Sequence, residues 1–568
     1  MFKKLGFILL IILLTTIVIL YIEDKMRIND DEQAEEQSQP AFDMEKPDKE
    51  VEIIESDYLF QDLINFANQG RVHDTPIVAG QTEFDELQKS WGLSNGSTSN
   101  TQGIYENYLD SHHVTVGHKN NRIFDVRSYH PHLHSIQLND IKNTMGAPDE
   151  IRSFVDETTN QIILVYQLNT TYQLKWILNQ PTDDQPNPIV HHISVVTNVI
   201  EQEQTTAKKM EEMTLEEKIG QMIVAGISGT TATKNTRSLI NDYQVGGIIF
   251  YASNMNDSPQ TLQLLNQIKK TNSQHTFPLF LGIDQEGGRI SRLPKEITNL
   301  PTNEEIGKMN NPSYSYRLGT LLGKELNAFG FNMNFAPVLD VNSNPDNPII
   351  GNRSYGNDPN IVSELGIKTM KGLQSQQVIS VIKHFPGHGD TAVDSHLKLP
   401  IVGKSLDQLN QMELIPFKQA ISNGADIVMI AHILLPELDP KFPSSMSKPI
   451  ITDVLRKQLG FNGVVITDDM TMKAITDNFD IESSSVESIK AGSDLILVAH
   501  DYAKIVSVID SIKHAVKSGE LTEDRIDESV GRILNLKLKY GLTNEANESF
   551  SVADLNRDIE KGLKNGNK

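Results

Sequence analysis

The sequence predicts an α/β protein built on a (β/α)8 barrel, preceded by a small α+β domain and an N-terminal transmembrane helix. Three observations predict it. From Met213 onward, eight short apolar runs alternate with amphipathic helical stretches. Most of those runs end in a polar residue able to do chemistry. Ahead of them lie an uncharged apolar stretch at the N-terminus and a segment of different texture.

The chain has 568 residues, too many for one ordinary domain, and 38% of them are apolar, enough for a sizeable core. Lys3 and Lys4 precede Leu5 to Ile22, an almost wholly apolar run. As a helix this run reaches ~27 Å, against a hydrocarbon core of ~30 Å. Glu23-Asp24-Lys25-Met26-Arg27 follows, without the small residues of a cleavage site. Residues 1–27 therefore read as an uncleaved signal anchor with its positive flank inside. A leader cleaved after it is the alternative. The expected location is the cell membrane, single-pass, with the rest of the chain outside the cytoplasm. Residues 28–55 read as an acidic, disordered linker, since Glu23 to Asp57 holds fourteen acids and four bases. The net charge of -23 argues against nucleic acid as a partner. There is no cysteine, so no disulfide, thiolate metal site, cysteine nucleophile or lipid-modified cysteine can form.

Residues 56–200 read as an α+β accessory domain. Leu59, Leu63, Ile64 and Phe66 give helical spacing to Tyr58–Gln69. A second helix, Ile136–Met145, is ended by Gly146-Ala147-Pro148. Gln161–Leu168, Tyr172–Leu178 and Ile189–Val196 read as consecutive antiparallel strands. His130-x-His132-x-His134 could hold a metal; a surface strand or loop is the plainer reading. Glu201–Ala207 is a polar linker.

Residues 208–542 carry the eight strand-helix units. The apolar runs are Met222–Ala225, Val245–Tyr251, Pro278–Asp284, Phe331–Asp340, Val378–His384, Asp426–His432, Gly463–Asp468 and Asp494–Val498. Between them lie helical stretches such as Pro259–Lys270, Tyr314–Phe329, Asn360–Gln376, Leu406–Ser422, Lys448–Leu459 and Ile481–Ala491. Such alternation implies parallel pairing, and eight units imply a TIM-type barrel rather than an open doubly wound sheet. Asp284, Asp340, Lys383-His384, His432 and Asp468 end strands, where barrels keep their active sites. Residues 543–568 read as a polar, frayed tail, so the site is expected to be complete within the barrel and open.

The densest chemistry lies in Lys383-His384-Phe385-Pro386-Gly387-His388-Gly389-Asp390, closed by Asp394-Ser395-His396. It packs three histidines, one lysine and two aspartates into fourteen positions. Pro386 and the glycines let the backbone turn sharply at a strand end. Three further motifs stand in order with it. They are Gly282-Ile283-Asp284-Gln285-Glu286-Gly287-Gly288-Arg289-Ile290-Ser291-Arg292, Ile350-Gly351-Asn352-Arg353-Ser354-Tyr355-Gly356, and Gly463-Val464-Val465-Ile466-Thr467-Asp468-Asp469-Met470.

Together these motifs, from about Met213 to Leu542, resemble family 3 glycoside hydrolases, and Asp394-Ser395-His396 resembles the bacterial β-N-acetylglucosaminidase branch. The resemblance implies a retaining, exo-acting β-N-acetylglucosaminidase acting on N-acetylglucosamine-capped peptidoglycan fragments. It implies Asp468 as nucleophile and His396 as acid/base, supported by Asp394. Asp284, Arg292, Arg353, Lys383 and His384 match its sugar-contacting positions. The residue chemistry agrees. A carboxylate at a strand end can attack an anomeric carbon, arginines supply five donors each, and an aspartate can orient an imidazole and raise its pKa. Asp469 is the fallback nucleophile. No metal and no cofactor is required. The rivals are a metallohydrolase using His384, His388, Asp390 and His396, a phosphorylase or other β-glycosidase of the same family, and an inactive wall-glycan-binding protein.

Overall fold

The computed structural model describes residues 56–564, apart from 74, 101, 156–157, 170, 198–205, 392–394 and 396–397. The expected membrane anchor, the acidic linker, Asp394 and His396 lie outside the described residues. Among the described residues, no helix is long and apolar enough to cross a membrane. The chain divides into two compact units, Met1–Glu203 and Gln204–Lys568.

The first unit holds an eight-stranded antiparallel sheet, β1 (Gly96–Ser99), β2 (Ile104–Tyr108), β3 (Val114–Lys119), β4 (Arg122–Ser128), β5 (Glu150–Val155), β6 (Asn160–Gln167), β7 (Tyr172–Asn179) and β8 (Val190–Thr197). Its order is β1-β2-β3-β4-β8-β7-β6-β5, two four-stranded meanders joined where β4 meets β8. Alternation sends Leu174, Trp176 and Leu178 of β7 into one core, where Trp176 stacks on Phe60 of the helix Ser56–Ala67 at 5.1 Å. The expected strands correspond to β6, β7 and β8. The other five strands are not read from the sequence; of these β1 is Gly-Ser-Thr-Ser and β5 is almost wholly exposed, so neither carries an apolar pattern. His132 and His134 sit in a short 3-10 turn, Pro131–Ser135, not on a strand. Among the described residues no group of three or more histidines or carboxylates could hold a metal ion.

The second unit is the barrel. Its strands are β9 (Ile223–Gly226), β10 (Gly247–Phe250), β11 (Phe280–Ile283), β12 (Met333–Asn334), β13 (Ile379–Phe385), β14 (Ile427–Ile430), β15 (Val464–Thr467) and β16 (Ile496–Val498). All eight expected strands are present, in sequence order and parallel. β16 pairs with β9, and a parallel bridge from Ile466 to Leu495 joins β15 to β16, which closes the ring. The strands are buried along their length, as both faces of a barrel wall demand.

Helix starts follow the sequence chemistry. Asp257, Asn311 and Asp358 cap Ser258–Asn272, Pro312–Phe329 and Pro359–Ser375, each with proline in the first turn. The expected helix Leu406–Ser422 is two, Leu406–Gln411 and Leu414–Ser422, broken at Met412. At Gly389 a Cβ would lie 1.7 Å from the Val341 carbonyl oxygen, so only glycine lets the loop after β13 meet the loop after β12.

The expected polar tail is corrected. Asn547 exchanges hydrogen bonds with Asn266 at 2.9 Å and accepts from Lys269 Nζ at 2.6 Å. Phe550 packs edge-on against Phe329 at 4.9 Å. The helix Val552–Lys564 then buries Ile559 fully. The tail reads as polar because one apolar face, spaced at helical intervals, is diluted by charge on the other.

Candidate active site

Every group of the site leaves the barrel at the C-terminal ends of the strands. Phe250 of β10 pairs with Ile283 of β11, so Tyr251 and Asp284 emerge level from neighbouring strands. Lys383, near the end of β13, reaches Asp284 Oδ1 at 2.5 Å and Glu286 Oε1 at 2.8 Å. The register of β13 against β14 shifts between Ile382 and Phe385, where strict alternation breaks and two functional residues stand side by side.

Glu286 is the hub. It accepts a bidentate pair from Arg353, Nε at 2.9 Å and Nη2 at 2.7 Å, besides the bond from Lys383. Burial alone would raise its carboxyl, but Arg353 and Lys383 outweigh it and hold the group well below the usual carboxylate range. Arg353 Nη2 also lies 3.4 Å from His384 Nε2. On its other side His384 Nδ1 lies 2.6 Å from Asp340 Oδ2. Burial pushes the Asp340 carboxyl up, yet His384 outweighs it and keeps the group below its ordinary value. Asp340 Oδ1 accepts the backbone N–H of His388 at 2.6 Å. The His388 ring meets Thr391 Oγ1 at Nδ1, 2.8 Å, and Ser395 Oγ at Nε2, 3.2 Å. A continuous chain therefore runs Asp284–Lys383–Glu286–Arg353–His384–Asp340–His388 and ends on Thr391 and Ser395.

This occupancy bears on the metallohydrolase rival. Both ring nitrogens of His384 and of His388 are engaged, and Asp390 is paired with Lys404 at 3.0 Å. Among the described members of that set, His384, His388 and Asp390, the arrangement is one of hydrogen-bond partners.

Asp468 follows β15. Its backbone N–H bonds to the Ile430 carbonyl at 2.9 Å, and its side chain is half-buried. Asp469 is buried and its carboxylate accepts from Thr471 N at 2.9 Å, Thr471 Oγ1 at 2.6 Å and Ala499 N at 3.0 Å. His432, a strand-end candidate, is fully buried between Ser445 Oγ at 2.7 Å and the Asp469 carbonyl at 3.0 Å, so it braces this turn from below.

Arg292 is held through its backbone, whose N–H bonds to Gln285 Oε1 at 2.8 Å. Gln285 Nε2 donates to Ser291 Oγ at 3.1 Å and to Glu325 Oε1 at 3.0 Å. Glu325, fully buried on the helix behind, has its carboxyl pushed up to about 8 by burial, against a smaller opposing pull from Gln285. Tyr251 stands with its ring 5.1 Å from that of His500. Burial, then the charges of Asp469, Asp284 and Asp468, raise its phenol well above the usual value.

The structure thus brings Asp284, Arg353, Lys383 and His384 into one network and places Asp468 at the end of β15. Sequence reasoning missed Glu286, the Glu325–Gln285 brace and Tyr251. Glu286 had a signal: Lys383 and Arg353, if buried together, need a shared counter-charge, and the first motif supplies it two residues after Asp284. Tyr251 and Glu325 had none.

Comparison with known proteins adds the following. The family model described as the glycosyl hydrolase family 3 N terminal domain matches residues 214–536. A domain of unknown function (DUF4309) matches residues 60–196. A beta-hexosaminidase A of Pseudoalteromonas piscicida is 36% identical over 349 residues, covering 57% of this chain and 58% of that protein. A beta-hexosaminidase of Nitrosomonas eutropha is 32% identical over 323 residues, covering 55% of this chain and 91% of its own. Among solved structures, a glycoside hydrolase family 3 beta-N-acetylglucosaminidase from Paenibacillus sp. is 39% identical with a TM-score of 0.59, covering 62% of this chain and 69% of that one.

Proposed function

Because the chain belongs to glycosyl hydrolase family 3, we propose that it is a retaining, exo-acting β-N-acetylglucosaminidase that releases terminal N-acetylglucosamine from peptidoglycan fragments. The observation that carries the mechanism is the contrast at the end of β15: the Asp469 carboxylate is buried and turned onto Thr471 and Ala499, whereas Asp468, whose Oδ1 accepts the Asp469 N–H at 2.8 Å, is half-buried where the strand ends. Asp468 is the nucleophile. Its carboxylate attacks the anomeric carbon, the glycosidic C–O bond breaks, and a glycosyl ester forms on Asp468. His396 gives its proton to the departing oxygen. It then takes one from water as that water attacks the ester, which returns Asp468 and releases the sugar. Asp394 orients the imidazole and favours its protonated form.

Asp284, Arg292, Arg353, Lys383 and His384 bind the terminal sugar. The ion-pair network supports this role, because it sets donors and acceptors in fixed positions before substrate arrives. The wall-fragment substrate follows from the branch that Asp394-Ser395-His396 resembles. Leu5–Ile22 holds the enzyme at the outer side of the cell membrane.

The test compares aryl N-acetylglucosaminide with aryl glucoside on the full chain, and wild type with His396→Ala. Strong preference for the N-acetyl sugar is expected. His396→Ala should lose on the order of 10²–10⁴-fold on an unactivated leaving group, typical of general acid catalysis. An activated dinitrophenyl glycoside should still load Asp468, where mass spectrometry finds the ester. Equal losses on both leaving groups would overturn the acid/base assignment.

A further inference from the structure

His388 has no task in the mechanism above, yet it is buried at the far end of the site's longest hydrogen-bond chain. Its backbone N–H is fixed on Asp340 Oδ1 at 2.6 Å, the same carboxylate that holds His384. Its carbonyl oxygen accepts from Asn347 Nδ2 at 2.8 Å. The ring is 2% exposed and touches two hydroxyls: Thr391, where the loop begins, and Ser395, the residue between Asp394 and His396. Ser395 is fixed on its other side too, since its carbonyl accepts the Ala474 N–H at 3.1 Å from the segment that follows Asp468. Ser395 is thus tied at once to the sugar-binding network and to the strand end that carries the nucleophile.

We propose that His388 is a positioning residue for the acid/base loop, acting by clamping Thr391 and Ser395. This deepens the functional reading above and rests on it. A neutral imidazole suits the clamp. It donates from one nitrogen and accepts at the other, and each hydroxyl can play either part. Burial, with His384 as a further influence, pushes His388 down to about 4, so the ring stays neutral through the working range. A phenyl ring would fill the same space and hold neither hydroxyl.

The test uses leaving-group dependence, which a merely structural role does not move. kcat/KM reports the first irreversible step, glycosyl transfer to Asp468, and only a poor leaving group needs the proton in that step. His388→Phe and Ser395→Ala are measured on an unactivated N-acetylglucosaminide and on the dinitrophenyl glycoside. Misplacement of the proton donor should lower kcat/KM about 10- to 100-fold on the first substrate. On the second, kcat/KM should stay within about twofold. His388→Gln, whose amide can still reach Ser395 Oγ, should recover part of the loss. Equal losses on the two substrates would overturn the proposal, and if His388→Phe fails to fold, Ser395→Ala decides alone. His396→Ala run in parallel separates the two levels. If it lacks the leaving-group signature, the functional reading falls and this proposal with it; if it shows the signature and Ser395→Ala does not, only the clamp is wrong.

Discussion

Asp469 donates its backbone N–H to Oδ1 of Asp468 at 2.8 Å, while its own carboxylate is turned onto Thr471 and Ala499. Two adjacent aspartates thus have separate work. Asp468→Ala should abolish turnover on every leaving group and leave thermal stability close to wild type. Asp469→Ala should leave buried donors unpaired and cost about 1–3 kcal/mol of stability. Labelled peptide from trapped intermediate should carry the sugar on Asp468 only; a sugar on Asp469 would reverse the assignment.

The barrel was legible in the sequence because its strands are buried on both faces. Each of the eight shows as a short apolar run, and five of them have a polar end: Asp284, Asp340, Lys383-His384, His432 and Asp468. The nucleophile candidate followed from the same logic, as Asp468 directly succeeds Val464–Thr467. Asp469 stood beside it as the fallback, and the sequence could not show that Thr471 and Ala499 receive its carboxylate. The first unit was half legible. β6 to β8 show apolar residues, whereas β1 is Gly-Ser-Thr-Ser and β5 is almost wholly exposed. Glu325 was invisible because a buried glutamate on a helix looks like a surface one until the packing behind it is known. The tail failed for a related reason: Ile559 and Phe550 are too sparse to signal a docked segment without Phe329 beneath them.

Glu286 neutralises two buried cations, so Glu286→Gln should be costly even though it keeps the shape. Leaving Arg353 and Lys383 under-compensated should lower stability by about 3–5 kcal/mol. The native carboxyl lies below its ordinary value, so the unfolded chain takes up the proton first as pH falls. Its stabilisation is full above the ordinary value of 4.5 and declines below it. Urea unfolding of both proteins should show the widest gap near neutrality and a narrowing gap in acid. A gap independent of pH would mean that the charge of Glu286 is not what holds the network.

Glu325 should behave in the opposite sense. Its folded carboxyl lies near 8, above the ordinary 4.5, so the native state binds the extra proton between those values. Stability from this group falls as pH rises through that window. Glu325→Gln, neutral at every pH, should match wild type near pH 4.5 and exceed it at pH 8. Tm measured at the two pH values checks the crossover. A variant equally destabilised at both would show that the carboxyl is ionised in the fold.

For the N-terminus, protease added to intact cells should reach the barrel, and the mature protein should retain Lys3. A soluble form beginning near residue 25 or later would show instead that the leader is removed.

The pairing of β9 with β16 has a consequence for synthesis. Ile223 finds its partner Ile496 only after about 270 further residues have been made. At 5–20 residues per second, that edge waits roughly 14–55 s. The contacts of the helices Ser258–Asn272 and Pro312–Phe329 are completed later still in the chain, when Asn547 and Phe550 leave the ribosome. The nascent barrel is therefore an open sheet with an unpaired apolar edge for most of its translation. It cannot lock into a closed ring until β16 has been made. A polypeptide so built keeps one edge of β9 unpaired until Ile496–Val498 emerge.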